Sequence, residues 1–332
     1  MLIAAGLAIV VAGSILARSG AAIADVTGIG QVWFGALVVA LATSLPELAT
    51  DTAAVLQGEP DLALGDLMGS NMANMAILGL LALALPAARI FAREAVQLTI
   101  TGCVAVILTA VAALFVIAQP ERSIGGAFSL GSVLLLAAGT GALILLPGYR
   151  QSLAEGALPD AANDEPKPLQ LPPRAIALRF ATAAAVILVA APVLASSADE
   201  LVQRSGLGAT FIGVLVLASA TSLPELATSW AAARAGALDL AVSNLFGSNA
   251  VNMMLIAWLD LIYVQDPLLD TADPSAAVAG VVAILMMMIG LTAMALRSQR
   301  QRLPVEIAGV IMVVAYLGGL LMVWSTGSGS GL

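Results

Sequence analysis

Long apolar runs, each closed by a charge, a glycine or a proline, recur along the chain near residues 1–17, 33–56, 63–86, 96–118, 127–147, 175–196, 211–233, 241–264, 276–296 and 304–324. Each is close to the roughly 20 residues that a helix needs to cross a bilayer. Polar residues gather between the runs. The one long polar stretch, from Gly148 to Pro173, carries Asp160, Asn163, Asp164, Glu165 and five prolines, so it reads as a flexible linker. This pattern predicts an all-α integral membrane protein of about ten transmembrane helices. Composition excludes a soluble domain. Hydrophobic residues make up 60% of the 332 and charged residues 10%, where a soluble domain carries roughly 25% charged.

Charge then orients the chain. One side of the membrane receives Arg18, Arg89, Arg93, Arg150, Lys167, Arg174, Arg179, Arg234, Arg297, Arg300 and Arg302. The other receives Arg122 and Arg204 with the acidic loop Asp260, Asp266, Asp270 and Asp273. Cytoplasmic loops carry the excess of Lys and Arg. The expectation is a multi-pass protein of the cell (plasma) membrane with both termini on the non-cytoplasmic side. Residues 1–147 form a first five-helix unit, 148–174 a cytoplasmic linker, 175–326 a second unit and 327–332 a flexible tail. Ala22-Ile23-Ala24 has the look of a cleavage site, but no basic segment precedes the first apolar run, so that run is expected to stay. The net charge of −8 excludes a nucleic-acid partner. The lone Cys103 has no intramolecular disulfide partner.

The chain repeats itself. Adding 178 aligns Gly28–Met75 with Gly206–Met253 without a gap, and roughly 27 of the 48 positions are identical. The densest blocks are Ala42-Thr43-Ser44-Leu45-Pro46-Glu47-Leu48-Ala49-Thr50 against Ala220–Thr228, and Gly69-Ser70-Asn71-x-x-Asn74-Met75 against Gly247–Met253. Five spans per unit is an odd number, so the second copy enters the membrane from the opposite side. Two inverted five-helix repeats are an architecture of secondary transporters.

Glu47 and Glu225 fall near the middle of apolar spans, where a carboxylate costs at least a few kcal/mol. Pro46 and Pro224 lack an N–H and collide with the preceding turn, so each span should break there, at the midplane. The break should release carbonyls over residues 40–43 and 218–221. Irregular backbone at that depth survives where it is buried in protein or lines a cavity. Thr43, Ser44, Thr221 and Ser222 add hydroxyls beside the acids. In the next span Ser70 and Asn74 share a helix face, as do Ser248 and Asn252. Gly69 and Gly247 permit close helix approach. These donors are all hard oxygens, and the chain has no His. Sodium or calcium suits them, whereas copper or zinc does not. Two carboxylates are neutralised by one calcium, two sodium ions or two protons. Such competition for one site is cation exchange.

The paired Ala-Thr-Ser-Leu-Pro-Glu and Gly-Ser-Asn-x-x-Asn blocks resemble the α-repeats of the calcium/cation antiporter superfamily, the sodium/calcium exchangers. The resemblance spans both halves. It implies alternating access with calcium moved against sodium, no enzymatic activity and no cofactor. It also implies Glu47 and Glu225 as principal ligands in a diamond of ion sites. Thr43, Ser44, Ser70, Asn74, Thr221, Ser222, Ser248 and Asn252 would coordinate ions too, with backbone carbonyls at Ala40 and Ala218. Its partners are the lipid bilayer and inorganic cations, and no protein partner can be deduced. Some relatives carry Asp where this chain has Asn252. Conversely, Asp66 and Asp51 stand where the second repeat has Asn244 and Ser229. Both are expected to line a solvated vestibule, with Asp66 also a candidate extra acid at the centre.

Three other readings compete. A calcium/proton antiporter would use the same glutamates, though such relatives often carry His in these motifs. An intramembrane protease needs a Gly-x-Gly-Asp type pair, which Leu64-Gly65-Asp66 does not supply, or a His or Lys base within a span. A passive channel is disfavoured by paired broken helices around buried acids.

Overall fold

The computed structural model describes residues 1–27, 43–84, 95–119, 123–124, 128–154, 172–234, 238–298 and 305–327. Ala40, the part of the second apolar run before residue 43, linker residues 155–171 and tail residues 328–332 lie outside the described residues.

The described chain is helical apart from a two-residue antiparallel hairpin, Ser123–Ile124 (β1) with Phe128–Ser129 (β2). In order the helices are α1 (Leu2–Thr27), α2 (Leu45–Leu56), α3 (Pro60–Ala84), α4 (Ala95–Ala118), α5 (Leu130–Ala154) and α6 (Pro173–Ser205). Then come α7 (Ala209–Ile212), a π-helical turn (Gly213–Leu217), α8 (Ala218–Thr221), α9 (Leu223–Arg234), α10 (Leu238–Ile262), α11 (Pro274–Ser298) and α12 (Val305–Gly327). Six described stretches are long and apolar enough to cross a membrane: Pro60–Ala84, Leu98–Ala118, Pro173–Ser205, Ala241–Ile262, Pro274–Leu296 and Ile307–Gly327. The pair Ala209–Thr221 and Leu223–Arg234, bent by 43°, makes a seventh if it counts as one span. Leu2–Leu16 and Leu130–Ala142 are shorter apolar stretches. The chain is a helical membrane protein.

Three helices run well past their apolar runs. α1 continues past Arg18, α5 past Arg150 to Ala154, and α6 past Asp199 to Ser205. A charge ends an apolar run without ending a helix. On α6 the polar tail is held by i,i+4 bonds, Gln203 Nε2 to Asp199 Oδ2 at 2.8 Å and Arg204 Nη2 to Glu200 Oε1 at 2.5 Å. What stops α6 is Gly206, at φ +69°, whose N–H reaches the Val202 carbonyl at 3.0 Å. A left-handed residue after the last turn is a common helix stop that favours glycine.

Polar side chains join the apolar core, and large apolar ones also face outward. α3 is buried at every position from Leu62 to Gly79, including Asp66, Ser70, Asn71 and Asn74. Leu7, Val11 and Ile15 on α1, and Val310, Val314, Leu317 and Leu321 on α12, are exposed. A helix buried all round belongs to the core of the bundle, and the exposed Leu and Val fit a hydrocarbon solvent. α3 packs against α10, α11, α12 and the Ala209–Thr221 stretch, while α1 pairs with α6. The approach to Ala209–Thr221 is backbone to backbone. A Cβ placed on Gly65 would lie 2.4 Å from the Thr210 carbonyl, and one on Gly69 would lie 2.5 Å from Val214 Cα. α1 in turn crosses both prolines, since a Cβ on Gly13 would fall 2.5 Å from Pro224 Cγ and 3.6 Å from Pro46 Cγ. The two proline turns are therefore wedged between α1 and the bundle core.

Acids outside the centre organise the loops. Buried Asp260 accepts the N–H groups of Ser129 at 2.8 Å and Leu268 at 2.6 Å, tying the hairpin to the α10–α11 loop. Asp273 accepts the N–H and hydroxyl of Ser275 at the start of α11, and its own N–H goes to Asp61 Oδ1 at 2.8 Å. The acidic loop expected from charge counting thus contains structural carboxylates.

Candidate functional site

Both proline motifs adopt the same break. Ser44 has φ −85°, ψ 4°, and Ser222 has φ −83°, ψ 1°. After each the helix restarts, with Leu48 N–H on the Ser44 carbonyl at 3.0 Å and Leu226 N–H on the Ser222 carbonyl at 3.1 Å. Proline suits the first turn of a helix because the N–H it lacks would have no partner there. Glu47 and Glu225 occupy those first turns, where the helix dipole favours negative charge. The breaks therefore position the acids as well as interrupting the spans. The released carbonyls differ in detail from expectation. Ala218 accepts the Ser222 N–H at 3.1 Å, whereas Pro224 has no N–H to give the Ala220 carbonyl. A carbonyl has two lone pairs, so Ala218 keeps one for another donor or an ion.

Around the breaks, contacts repeat between equivalent positions of the two halves. Ser70 Oγ meets Thr221 Oγ1 at 3.4 Å, and Ser248 Oγ meets Thr43 Oγ1 at 3.4 Å. Asn74 Nδ2 donates to Asn249 Oδ1 at 2.9 Å, and Asn252 Nδ2 donates to Asn71 Oδ1 at 3.2 Å. Asn71 Nδ2 reaches the Asn249 carbonyl at 3.3 Å, and Asn249 Nδ2 reaches the Asn71 carbonyl at 3.5 Å. Every one of these pairs maps onto its mate when 178 is added to, or subtracted from, the residue numbers.

Thr43, Ser44, Glu47, Ser70, Asn74, Ala218, Thr221, Ser222, Glu225, Ser248 and Asn252 are all buried. Glu225 accepts from Thr43 and, at 3.5 Å, from Ser248 Oγ. Glu47 lies within Coulombic reach of Glu225 and Asp66. Many of their oxygens have no hydrogen-bond partner: Ser44 Oγ and Ser222 Oγ, both oxygens of Glu47, Oε2 of Glu225, and Oδ1 of Asn74 and Asn252. Leaving such a group unpaired costs about 1–3 kcal/mol, more for a charge. Among the described residues no Lys or Arg is buried to balance the carboxylates. Nor, among them, do three acidic, His or Cys side chains converge closely enough to enclose an ion alone. Amides and hydroxyls would have to complete any shell.

A family model for the sodium/calcium exchanger protein matches residues 1–153 and 175–325. The chain belongs to the sodium/calcium exchanger family. It is 29% identical over 329 residues to the inner membrane protein YrbG of Escherichia coli K12, covering 95% of this chain and 91% of YrbG. Its fold matches that of the sodium-calcium exchanger NCX_Mj with a TM-score of 0.61, at 22% identity, over 97% of this chain and 99% of the other. It matches that of the H+/Ca2+ exchanger CAX with a TM-score of 0.65, at 15% identity, over 99% and 89%. The protein is accordingly a membrane cation antiporter of the calcium-transporting class.

Two features of the exchanger's centre were not read from its sequence. Asn71 and Asn249 fasten α3 to α10, through both side chain and backbone; their presence in both repeat blocks was the available signal. Asp51 and Asp66 are not open to solvent as expected of a vestibule, since both are fully buried in this conformation. Asp66 Oδ1 takes the hydroxyls of Ser70 at 3.2 Å and Thr221 at 3.0 Å, which places it beside the broken span.

Proposed function

We propose that the exchanger moves calcium against sodium by alternating access, at one site built from Glu47 and Glu225. Thr43, Ser44, Ser70, Asn74, Thr221, Ser222, Ser248 and Asn252 supply further oxygens, with the carbonyls of Ala40 and Ala218. One observation carries the reading: buried oxygens without a donor occur at equivalent positions of both halves, Ser44 with Ser222, Glu47 with Glu225 and Asn74 with Asn252. A hard cation satisfies them together. In this reading the chain has ten spans in two inverted repeats, and the reciprocal contacts at a constant offset of 178 support that relation. The basic bias supports a plasma-membrane protein with a cytoplasmic 148–174 linker and both termini outside. Cysteines placed in the linker and at the C-terminus should label from opposite sides of the membrane; labelling from the same side would contradict the inverted layout.

Sodium is favoured as the driving ion because the site offers only oxygen donors and the chain has no His. Protons compete, since adding one to either glutamate removes a charge that holds calcium. The fold likeness to CAX keeps the calcium/proton reading in contention. Proteoliposomes decide between them. Calcium uptake is expected to follow an outward sodium gradient and to be slowed by acid pH. Uptake that follows a pH gradient and ignores sodium would establish the proton antiporter instead.

A further inference from the structure

Asp51 lies one turn beyond Glu47 on α2, and Asp66 lies one turn before Ser70 on α3. Their carboxyl groups meet in the interior. Both oxygens of Asp51, and Oδ2 of Asp66, have no hydrogen-bond donor. The equivalent positions in the second half carry Ser229 and Asn244, where Asn244 Nδ2 donates to Ser229 Oγ at 3.2 Å. A neutral pair therefore bridges this contact, and packing alone does not call for two acids. Glu47, Asp51, Asp66 and Glu225 together bring four carboxylates into a region where, among the described residues, no Lys or Arg is buried. One calcium at the glutamates balances two of those charges. Two charged carboxylates in contact, away from water, are strongly unfavourable unless a shared proton or a cation lies between them.

We propose that Asp51 and Asp66 hold a second hard divalent cation, of the calcium class, in a site of their own beside the glutamates. This rests on the reading of the chain as a cation exchanger. The four carboxylate oxygens and the hydroxyls of Ser70 and Thr221 make six hard donors, within the six to eight that calcium takes. A soft metal would find no ligand it prefers. Ser70 and Thr221 sit between the two sites, so an ion at the aspartates orients hydroxyls that also face the transport centre. Both acids of the site belong to the first half, and its occupancy makes the two ends of the transport path unequal.

Equilibrium binding of radioactive calcium to the purified full chain in detergent tests this. The wild type should bind two calcium ions per chain. Asp51→Ser with Asp66→Asn, the residues of the second half, should bind one, and the ion retained at the glutamates reports that the variant is folded. Glu47→Gln with Glu225→Gln should also keep one. A wild type that binds one ion, unchanged by the aspartate substitutions, would overturn the second site. So would loss of all binding in either double variant, because the four acids would then form a single site. A wild type that binds no calcium at all would instead refute the exchanger site itself.

Discussion

Glu47→Gln and Glu225→Gln should each abolish calcium exchange in proteoliposomes while leaving the protein folded. Glutamine keeps the size and one oxygen of glutamate, and either position sits on a first helical turn that an uncharged residue tolerates. What is lost is charge. An ion pair at about 4 Å contributes roughly 4 kcal/mol at an effective dielectric near 20, which corresponds to about a thousandfold in affinity. Among the described residues nothing compensates, because the buried groups there are neutral or acidic. The two substitutions should be equally severe, since the residues occupy equivalent turns. Calcium uptake by either variant at near wild-type rates would remove the glutamates from the site.

Gly213→Val should produce little or no folded protein. A Cβ at this position would lie 2.4 Å from the Leu62 carbonyl oxygen, 2.9 Å from the Asp66 nitrogen and 2.9 Å from Gly65 Cα. All three are backbone atoms of α3, so no rotamer change relieves the overlap, and the π-helical turn must move away from the helix that carries Asp66 and Ser70. Overpacking of a filled interior costs about 1–3 kcal/mol when side chains yield, and backbone yields less readily. Gly318→Ala is the matched control, because its Cβ would meet nothing within 4 Å. A monodisperse, thermally stable Gly213→Val protein would show that the close seat of Ala209–Thr221 on α3 is dispensable.

The local chemistry of the breaks was legible in the sequence. Proline acts on its own preceding turn, so the positions of the Ser44 and Ser222 interruptions, and the acids just after them, followed from covalent structure. The 178-residue offset likewise identified Ser248 and Asn252 as the equivalents of Ser70 and Asn74 in the second half. Helix lengths were less legible, because Arg18 and Asp199 end hydrophobicity without ending hydrogen bonding; α6 stops at the positive-φ Gly206. The π-helical turn at Gly213–Leu217 left no mark in hydropathy; it arises where backbone meets backbone. Least legible were contacts made across the fold. Asp51 and Asp66 are fifteen positions apart in sequence, and their meeting depends on how α2 packs on α3. The cross-links from Asn71 and Asn249 depend in the same way on α3 against α10.

Coupled exchange at a buried carboxylate site makes calcium efflux from vesicles conditional on an external exchanging cation. Proteoliposomes loaded with radioactive calcium should retain it in a medium whose only external cation is choline. They should release it when external sodium or unlabelled calcium is added, with a rate that saturates. Glu47→Gln vesicles should retain their calcium in every medium. Calcium that escapes into choline as fast as into sodium would contradict exchange and describe a channel.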